Sequence, residues 1–169
     1  AWSPMGGGLL VFSETRRGKS YLELADHAGK NRRRITQGAG IDTSPAWSPD
    51  GLRLAFTSDR SGNPHIYVTS LEGGGARRLT FAGKWNDLPD WSPDGEKIAF
   101  VSRHKGLFRI FTIDPSGMSS HTQLTYGPGS DETPRWAPDG RHLVFSSSRG
   151  GERGIYVLNT DSGVIRPVV

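Results

Sequence analysis

Tryptophan recurs along the whole chain at an almost constant interval. The four positions are Trp2, Trp47, Trp91 and Trp136, separated by 45, 44 and 45 residues. The segments around the last three are nearly the same: PAWSPDGLRLAF (45–56), PDWSPDGEKIAF (89–100) and PRWAPDGRHLVF (134–145). Repeats of roughly 40 to 50 residues are typical of propeller blades, in which each repeat is one supersecondary unit. Four such copies fill the chain.

Each repeat predicts four short strands. In Ser-Pro-Asp-Gly, proline fits the second position of a type I turn and glycine the last, so this turn joins a first strand to a second. Further glycine-containing turns lead to a third and a fourth strand. We therefore predict an all-β chain, a single β-propeller domain over 1–169 built from four-stranded antiparallel blades. The four visible blades fall at about 1–36, 37–80, 81–125 and 126–169.

Composition agrees with short strands and excludes several classes of protein. The chain has 169 residues, 34% of them hydrophobic, with 23 glycines, 11 prolines and no cysteine. No apolar run approaches the roughly 20 residues of a membrane span, so we expect no membrane insertion. The five histidines fall at five different repeat positions, and neither HExxH nor GxSxG occurs. We predict no metal, no cofactor and no catalytic residue.

The net charge of +4 raises the question of nucleic-acid binding. The arginine clusters Arg32–Arg34 and Arg77–Arg78 both stand at the outermost strand of a repeat. Edge strands commonly carry charge because it blocks edge-to-edge pairing. No aromatic residues interleave with these arginines as stacking platforms for bases would require. We therefore expect no nucleic-acid partner.

The repeat resembles that of a known family. The segments AWSPDG (46–51), AFTSDRSGNPHIYV (55–68) and RRLT (77–80) resemble the WD-repeat-like propeller repeat of the TolB family. The resemblance covers the whole chain and is weakest in the first copy, where SPMGG replaces SPDG. It implies a soluble, periplasmic or secreted propeller that binds a peptidoglycan-associated lipoprotein. Similar repeats also form the propellers of prolyl-oligopeptidase-like and tricorn-like peptidases and of some pectate-fragment lyases.

When the repeats are aligned, two adjacent positions are mostly polar; we call them the polar columns. They precede the first strand of each repeat, which is the inner strand of the blade. Three residues before each repeated proline stand Asp42, Asn86 and Asp131, and the next positions carry Thr43, Asp87 and Glu132. In a propeller this connection crosses the top face toward the axis. We expect a largely acidic ring at the channel mouth, suited to a cation or to a basic partner segment. The alternative is a local role, in which each Asx side chain bonds the backbone of its own turn.

A basic column and one unusual tryptophan complete the candidates. Four residues after each repeated phenylalanine stand Arg16, Arg60, His104 and Arg149, in a hairpin on the same face. This placement predicts ion pairs of Arg60 with Asp42 and of Arg149 with Asp131. Trp85, in GKWND, has no counterpart in the other repeats. A lone aromatic residue in a loop is a candidate for partner contact.

These observations predict a non-enzymatic, TolB-like propeller that binds a protein or peptide on its top face. The predicted contacts are Asp42, Trp85, Asn86, Asp87, Asp131 and Glu132 at the mouth, with Arg60, His104 and Arg149 farther out. One alternative is a gating or substrate-binding propeller of a hydrolase or lyase. Another is a fragment that self-assembles. The repeat is compatible with three arrangements: the four blades close directly, they pair with a second copy to complete an eight-bladed ring, or they belong to a larger ring.

Overall fold

The chain consists of β-strands joined by turns. The computed structural model describes residues 1–38, 40–72 and 75–168, and every regular element in these ranges is a strand. None of these ranges contains a helix long and apolar enough to cross a membrane. The strands are β1 (Leu10–Arg16), β2 (Lys19–Ala25), β3 (Arg33–Arg34), β4 (Asp42–Trp47), β5 (Arg53–Ser58), β6 (His65–Ser70), β7 (Arg77–Arg78), β8 (Asn86–Trp91), β9 (Ile98–His104), β10 (Leu107–Ile113), β11 (Thr122–Gln123), β12 (Asp131–Trp136), β13 (His142–Ser147), β14 (Gly154–Asn159) and β15 (Ile165–Pro167).

The strands form four antiparallel sheets, each drawn from one repeat. Among the described residues, the second, third and fourth sheets contain four strands each, in the orders β4-β5-β6-β7, β8-β9-β10-β11 and β12-β13-β14-β15. Every strand in them pairs with its neighbours in sequence, which is the blade architecture that the repeat predicts. We refer to the sheets as the first to fourth blades. The inner strands β4, β8 and β12 contact one another in series.

The first blade departs from the predicted four strands. It contains β1, β2 and β3, and in place of an inner strand it has a single bridge between Trp2 and Leu10. The turn that follows Trp2 also differs from its counterparts. Gly6, Gly7 and Gly8 all adopt left-handed backbone, with φ of 73°, 71° and 64°. Three successive left-handed glycines cannot continue strand pairing, so this turn is longer and looser than Pro-Asp-Gly.

The repeated turn forms as the sequence predicts. In the second blade the Gly51 amide donates to the Ser48 carbonyl at 2.9 Å, which closes a four-residue turn around Pro49 and Asp50. The Asp50 carboxylate accepts the Leu52 amide at 3.0 Å, and its pKa is lowered mainly by the Ser48 hydroxyl bonded to it. The third blade repeats this arrangement at Ser92 and Asp94. These repeated polar residues therefore stabilise the fold.

The hydrophobic core lies between successive blades. Phe56, Phe100 and Phe145, at the same repeat position, are each 1% exposed or less. The repeated tryptophan is buried in the second and third blades, where Trp47 and Trp91 are 8% and 6% exposed. Each cluster combines aromatic residues of one blade with aliphatic residues of the blade before it. Blade-on-blade packing of this kind is what allows a four-stranded sheet to be apolar on both faces.

The outermost strands are joined to the following blade by arginine. Arg33 of β3 donates to the Leu71 carbonyl in the second blade at 2.8 Å. Arg77 of β7, at the same position of its blade, donates to the Pro115 carbonyl in the third blade at 2.6 Å. The arginines predicted to protect the edges therefore also connect neighbouring blades. Arg166 occupies this position in the fourth blade, opposite Val157 of β14.

The first and fourth blades each leave one face open. Ile155 in the fourth blade is 38% exposed, whereas its counterparts Leu22, Ile66 and Ile110 are fully buried against a following blade. Trp2, on the free face of the first blade, is 61% exposed. The described strands of the first and fourth blades share no extensive contact. Direct closure of the four blades, one of the predicted alternatives, does not occur in this structure.

Candidate functional site

One end of the blades collects the polar residues that the sequence singled out. We call this end the top face; it comprises the loops that precede β4, β8 and β12 and the hairpins that join β5 to β6, β9 to β10 and β13 to β14. Asp42 pairs with Ser58 across β4 and β5, which places it beside the hairpin that carries Arg60. The antiparallel register therefore brings the acidic and basic columns together, as predicted.

The first predicted ion pair is present. The Arg60 guanidinium donates from Nη2 to both carboxylate oxygens of Asp42, at 2.8 and 2.9 Å, and from Nε to the Ser58 hydroxyl at 2.8 Å. Arg60 also lies over the rings of Phe56 and Tyr67, at 5.4 and 5.1 Å from their centroids. Asp42 is buried and Arg60 is partly exposed. The pair fixes the hairpin to the inner strand.

The second predicted pair is also present and has an additional partner. Arg149 donates to both oxygens of Asp131 at 2.8 and 2.9 Å, and the Ser147 hydroxyl donates to the same carboxylate at 2.6 Å. A second guanidinium, that of Arg109, lies 3.5 Å from Asp131 and also donates to the carbonyls of Gly127 and Gly129. Arg109 was not among the residues predicted from the sequence, because its position carries a different residue in every repeat.

In the third blade Asn86 replaces the carboxylate, and a hydrogen-bond network replaces the ion pair. Asn86 is fully buried; its Nδ2 donates to the Ala82 carbonyl at 3.1 Å and lies 3.0 Å from Nδ1 of His65. Because a guanidinium can only donate, Nε2 of His65 accepts a hydrogen bond from Nη2 of Arg78 at 2.7 Å. Burial, together with the Arg78 charge, lowers the pKa of His65, which favours the neutral ring. His104 lies exposed against Phe111, with ring centroids 6.4 Å apart.

The acidic ring expected at the channel mouth is not exposed. Asp42, Asn86 and Asp131 are 2% exposed or less, because the first residue of each inner strand points into the space between that strand and its hairpin. There the two aspartates accept hydrogen bonds from arginine across the sheet. The alternative, in which the side chain bonds the backbone of its own turn, holds for Asn86, whose Nδ2 donates to the Ala82 carbonyl at 3.1 Å. These three residues position the top face and do not offer their side chains to a partner.

The next residue of each inner strand is more accessible and lies at a bulge. Pairing with the second strand shifts between Thr43 and Ala46, and the same irregularity recurs in the third and fourth blades. The bulges contain the non-glycine residues Ser44, Leu88 and Thr133, with φ of 52°, 55° and 54°. A bulge turns a side chain away from the regular alternation of the strand. At these bulges the side chains of Thr43, Asp87 and Glu132 depart from that alternation and are half-buried.

Asp87 connects the second and third blades. Its Oδ1 accepts hydrogen bonds from the Thr57 hydroxyl at 2.7 Å, the Ser44 hydroxyl at 3.2 Å and the Leu88 amide at 2.7 Å. The corresponding Glu132 instead accepts a hydrogen bond from Arg153 at 2.9 Å. Asp87 is therefore fixed in orientation by the second blade, whereas Glu132 is paired within its own blade.

A groove of about 370 Å³ opens on the top face between the second and third blades. Its walls are formed by Ile41, Thr43, Thr57, Asp59, Gly62, Pro64, Trp85 and Asp87. Trp85 is 43% exposed and Ile41 is 46% exposed. Trp85 therefore lies where the sequence predicted, in the loop that enters the third blade, and Asp87 lies beside it. Ile41 and Asp59 were not singled out from the sequence, because only the packing of the two blades brings them to Trp85.

A second cavity, of about 390 Å³, lies between the inner strands. Trp2, Pro45, Trp47, Leu88, Asp90 and Trp91 contribute to its lining. Burial raises the pKa of Asp90, whose Oδ2 accepts the Trp136 amide at 2.7 Å. Within the described part of the chain, no group of three or more histidine, aspartate or glutamate side chains is arranged to hold a metal ion. Prolines and tryptophans make up more than half of its lining residues, and Asp90 and Arg135 are the ionisable side chains among them.

Comparison with known families identifies the repeat. A family model described as the TolB beta propeller domain matches residues 1–122 and, in a second match, residues 89–169. The chain belongs to the TolB β-propeller family. The family and the all-β propeller fold predicted from the sequence are thus confirmed. None of the curated proteins compared matches the chain.

Solved structures of TolB proteins share the same arrangement of blades. The putative TolB from Agrobacterium tumefaciens matches with a TM-score of 0.87 and 28% identity, covering 96% of this chain and 61% of that chain. TolB from Acinetobacter baumannii matches with a TM-score of 0.83 and 30% identity, covering 97% of this chain and 41% of that chain. This chain thus spans less than two thirds of the length of either TolB protein.

The same fold occurs in an enzyme. A puromycin-hydrolyzing peptidase from Mycobacterium tuberculosis matches with a TM-score of 0.75 and 19% identity, covering 100% of this chain and 28% of that chain. At this level of identity the likeness shows the fold alone, because propellers support many unrelated functions. The likeness to the peptidase therefore assigns no activity to this chain.

Proposed function

We propose that this TolB-like propeller is a non-enzymatic binding module that takes a protein or peptide partner on its top face, over the groove beside Trp85. The observation that carries the proposal is the exposure of Trp85 and Ile41 on either side of that groove. Aromatic residues with a polar surround are the usual anchors of protein interfaces. The resemblance to TolB supports a periplasmic or secreted location, which is part of this proposal.

The predicted contact residues divide into two groups by accessibility. Trp85, Asp87, Glu132 and the exposed edges of Arg60 and Arg149 are available to a partner, and His104 is exposed farther out. The buried residues Asp42, Asn86 and Asp131 act indirectly, because they hold the hairpins and loops in place. Phe81 and Tyr126, which are 69% and 64% exposed, add apolar area at the same end. Partner contact therefore centres on the junction of the second and third blades.

Loss of the aromatic anchor should weaken partner binding. The soluble domain of a peptidoglycan-associated lipoprotein, the partner that the family resemblance implies, is the probe. We expect Trp85→Ala to reduce its affinity about 30-fold, equivalent to roughly 2 kcal/mol for a central aromatic anchor. Isothermal titration calorimetry measures the dissociation constant. Charge reversal at Asp87 and Glu132 together should also weaken binding.

Met118→Ala is the matched control for this experiment. Met118 is 92% exposed and lies in the turn between β10 and β11, at the opposite end of the third blade. The Met118→Ala variant should bind the probe as tightly as the unaltered chain does. A partner site on the top face would be contradicted if the Trp85→Ala variant and the charge-reversed variant both bound the probe as tightly as the unaltered chain does.

We also propose that the open faces of the first and fourth blades pack against each other between two copies of the chain, giving a ring of eight blades. The fourth blade presents Val144 and Ile155, which are 36% and 38% exposed. The free face of the first blade presents Trp2, with Leu10 and Phe12 beside it. Inside the chain, the same classes of residue pack together between the second and third blades. The two open faces are thus complementary.

The arginine contacts between blades support the same arrangement. Arg33 and Arg77 each donate to a carbonyl in the following blade. In both cases the carbonyl lies in the turn that joins the third strand of that blade to the fourth. Arg166, the corresponding residue of the fourth blade, lies beside a cavity of about 330 Å³ that Val157 and Val164 also line. In a second copy, the matching turn of the first blade follows β2 at residues 26–29. Arg166 would donate to a carbonyl in that turn.

Sedimentation velocity tests this assembly. We expect the unaltered chain to form dimers at micromolar concentration, and Val144→Lys combined with Ile155→Lys to yield monomers, because lysine ammonium groups would be buried without partners. Met118→Lys, an equally polar change on an exposed turn, should remain dimeric. A monomeric unaltered chain at every concentration, or dimers of the doubly substituted chain, would show that these faces do not associate.

A further inference from the structure

We infer that the groove between the second and third blades binds a cationic side chain of the partner, with an arginine guanidinium as its best occupant. This inference rests on the proposed binding function, because it specifies the chemistry of the same surface. It is derived from the charge, the hydrogen bonding and the walls of the groove. The binding of a single side chain also gives it a test that requires no natural partner.

The charges in the groove are of one sign. Of the eight residues that line it, Asp59 and Asp87 are acidic, and none of the eight is basic. The chain as a whole carries a net charge of +4, so this acidic recess stands out from a basic background. A cation entering the groove would meet two carboxylates, one from each of the two blades.

Both carboxylates are already oriented by the protein. The Ile41 amide donates to Oδ1 of Asp59 at 2.6 Å. Oδ1 of Asp87 accepts from Thr57, Ser44 and the Leu88 amide. Each carboxylate therefore uses one oxygen to hold its position, and the described hydrogen bonds leave the second oxygen available. Preoriented acceptors favour a donor that is planar and can form several hydrogen bonds, as a guanidinium does.

The apolar walls fit the remainder of such a side chain. Trp85 provides an aromatic ring that is 43% exposed, and Ile41 and Pro64 provide aliphatic surface. Arginine buries its methylene stem along apolar surface while its charged end stays hydrogen-bonded, and its guanidinium stacks on indole rings. A volume of about 370 Å³ accommodates one long side chain. The groove thus combines a stacking surface, a channel for the stem and two acceptors.

The next junction between blades lacks these features. At the third and fourth blades, Arg103 stands at the position of Asp59, and Ser130 at the position of Trp85. Glu132, the counterpart of Asp87, forms an ion pair with Arg153. The same fold therefore places a basic residue and no aromatic ring where the groove has an acid and a tryptophan. The cation site belongs to one junction and is not a general property of the repeat.

The experiment is a titration followed by NMR. The ¹⁵N-labelled chain carries five indole N–H groups, and the Trp85→Phe variant assigns the signal of Trp85. The probes are N-acetylarginine amide and N-acetylcitrulline amide, which have nearly the same shape and differ in charge. We expect a saturable shift of the Trp85 signal with the arginine probe, and about tenfold weaker binding of the citrulline probe.

Variants locate the binding in the groove. Asp59→Asn combined with Asp87→Asn should reduce affinity for the arginine probe about tenfold, because asparagine retains Oδ1 for the internal hydrogen bonds and loses the charge. Asp161→Asn, an exposed change in the turn before β15, should bind as the unaltered chain does. The urea midpoint of each variant confirms that the fold is intact. Equal binding of both probes, or an unchanged affinity in the double variant, would overturn the cation site.

The outcomes separate this inference from the proposed function. A lipoprotein domain that binds through Trp85 while the arginine and citrulline probes bind alike would leave the top-face function standing and refute the cation site. Selective binding of the arginine probe, with a lipoprotein domain insensitive to Trp85→Ala, would support the cation site and refute the function as proposed for that probe.

Discussion

Asp131→Asn should destabilise the protein by about 3 kcal/mol, because it leaves a buried guanidinium without its counter-charge. Asp131 is fully buried and lies against Arg149 and Arg109, and Arg109 is itself only 6% exposed. The near-isosteric change keeps the size of the side chain and removes only its charge. Asparagine also occurs naturally at this position of the third blade, as Asn86, so it is compatible with the inner strand. Urea unfolding measures the free energy.

Asp42→Asn provides the matched comparison. Asp42 stands at the same position of the second blade, but its partner Arg60 is 23% exposed at the side chain and also contacts Ser58. Water can solvate that guanidinium after the change, so we expect a loss of about 1 kcal/mol. Equal losses in the two variants would show that Arg109 does not depend on the Asp131 charge, and that the two pairs are equivalent.

Phe100→Ala should have the largest effect of any substitution considered, a loss of about 4 kcal/mol. Phe100 is fully buried between the second and third blades and stacks on Phe111 with ring centroids 5.8 Å apart. Removing the ring leaves a cavity at the centre of the cluster that includes Ile66 and Trp91. The backbone around it is fixed by pairing within the sheet, so the cavity cannot collapse. Thermal or urea unfolding tests the loss.

Phe81→Ala is the control for this substitution. Phe81 is 69% exposed on the top face, where its main described contact is the Arg78 guanidinium, 4.9 Å above the ring. The same chemical change there should alter stability by less than about 0.5 kcal/mol. A comparable loss in both variants would mean that the repeated phenylalanine is not the centre of the packing between blades.

Local sequence patterns were sufficient to predict the blade. The Ser-Pro-Asp-Gly turn and the alternation of apolar residues act over a few residues, and the turn formed as expected around Pro49. The pairs Arg60–Asp42 and Arg149–Asp131 were also predictable, because antiparallel register relates an inner strand to the hairpin of the same blade. The first blade was predicted less well, since SPMGGG contains no turn signal as specific as proline followed by Asp-Gly.

Contacts between blades could not be predicted from the repeat. Arg109 reaches Asp131 from the preceding blade, and the network of His65 and Asn86 crosses the same kind of junction. These residues are not repeated, so no periodic column revealed them. Burial of Asp42, Asn86 and Asp131 was likewise not evident, because a polar residue before a strand fits an exposed ring and an internal ion pair equally well in sequence.

The sequence alone predicted the repeat and the four-stranded form of the second, third and fourth blades, because both depend on short-range turn chemistry and on alternating burial. It also showed that GKWND is where the third repeat stops resembling its neighbours. The surroundings of Trp85, in contrast, depend on how two blades pack. Packing of the second blade against the third brings Ile41 and Asp59 next to Trp85 and Asp87. A groove shared by two blades has no signature in either repeat, because it arises from how their surfaces meet.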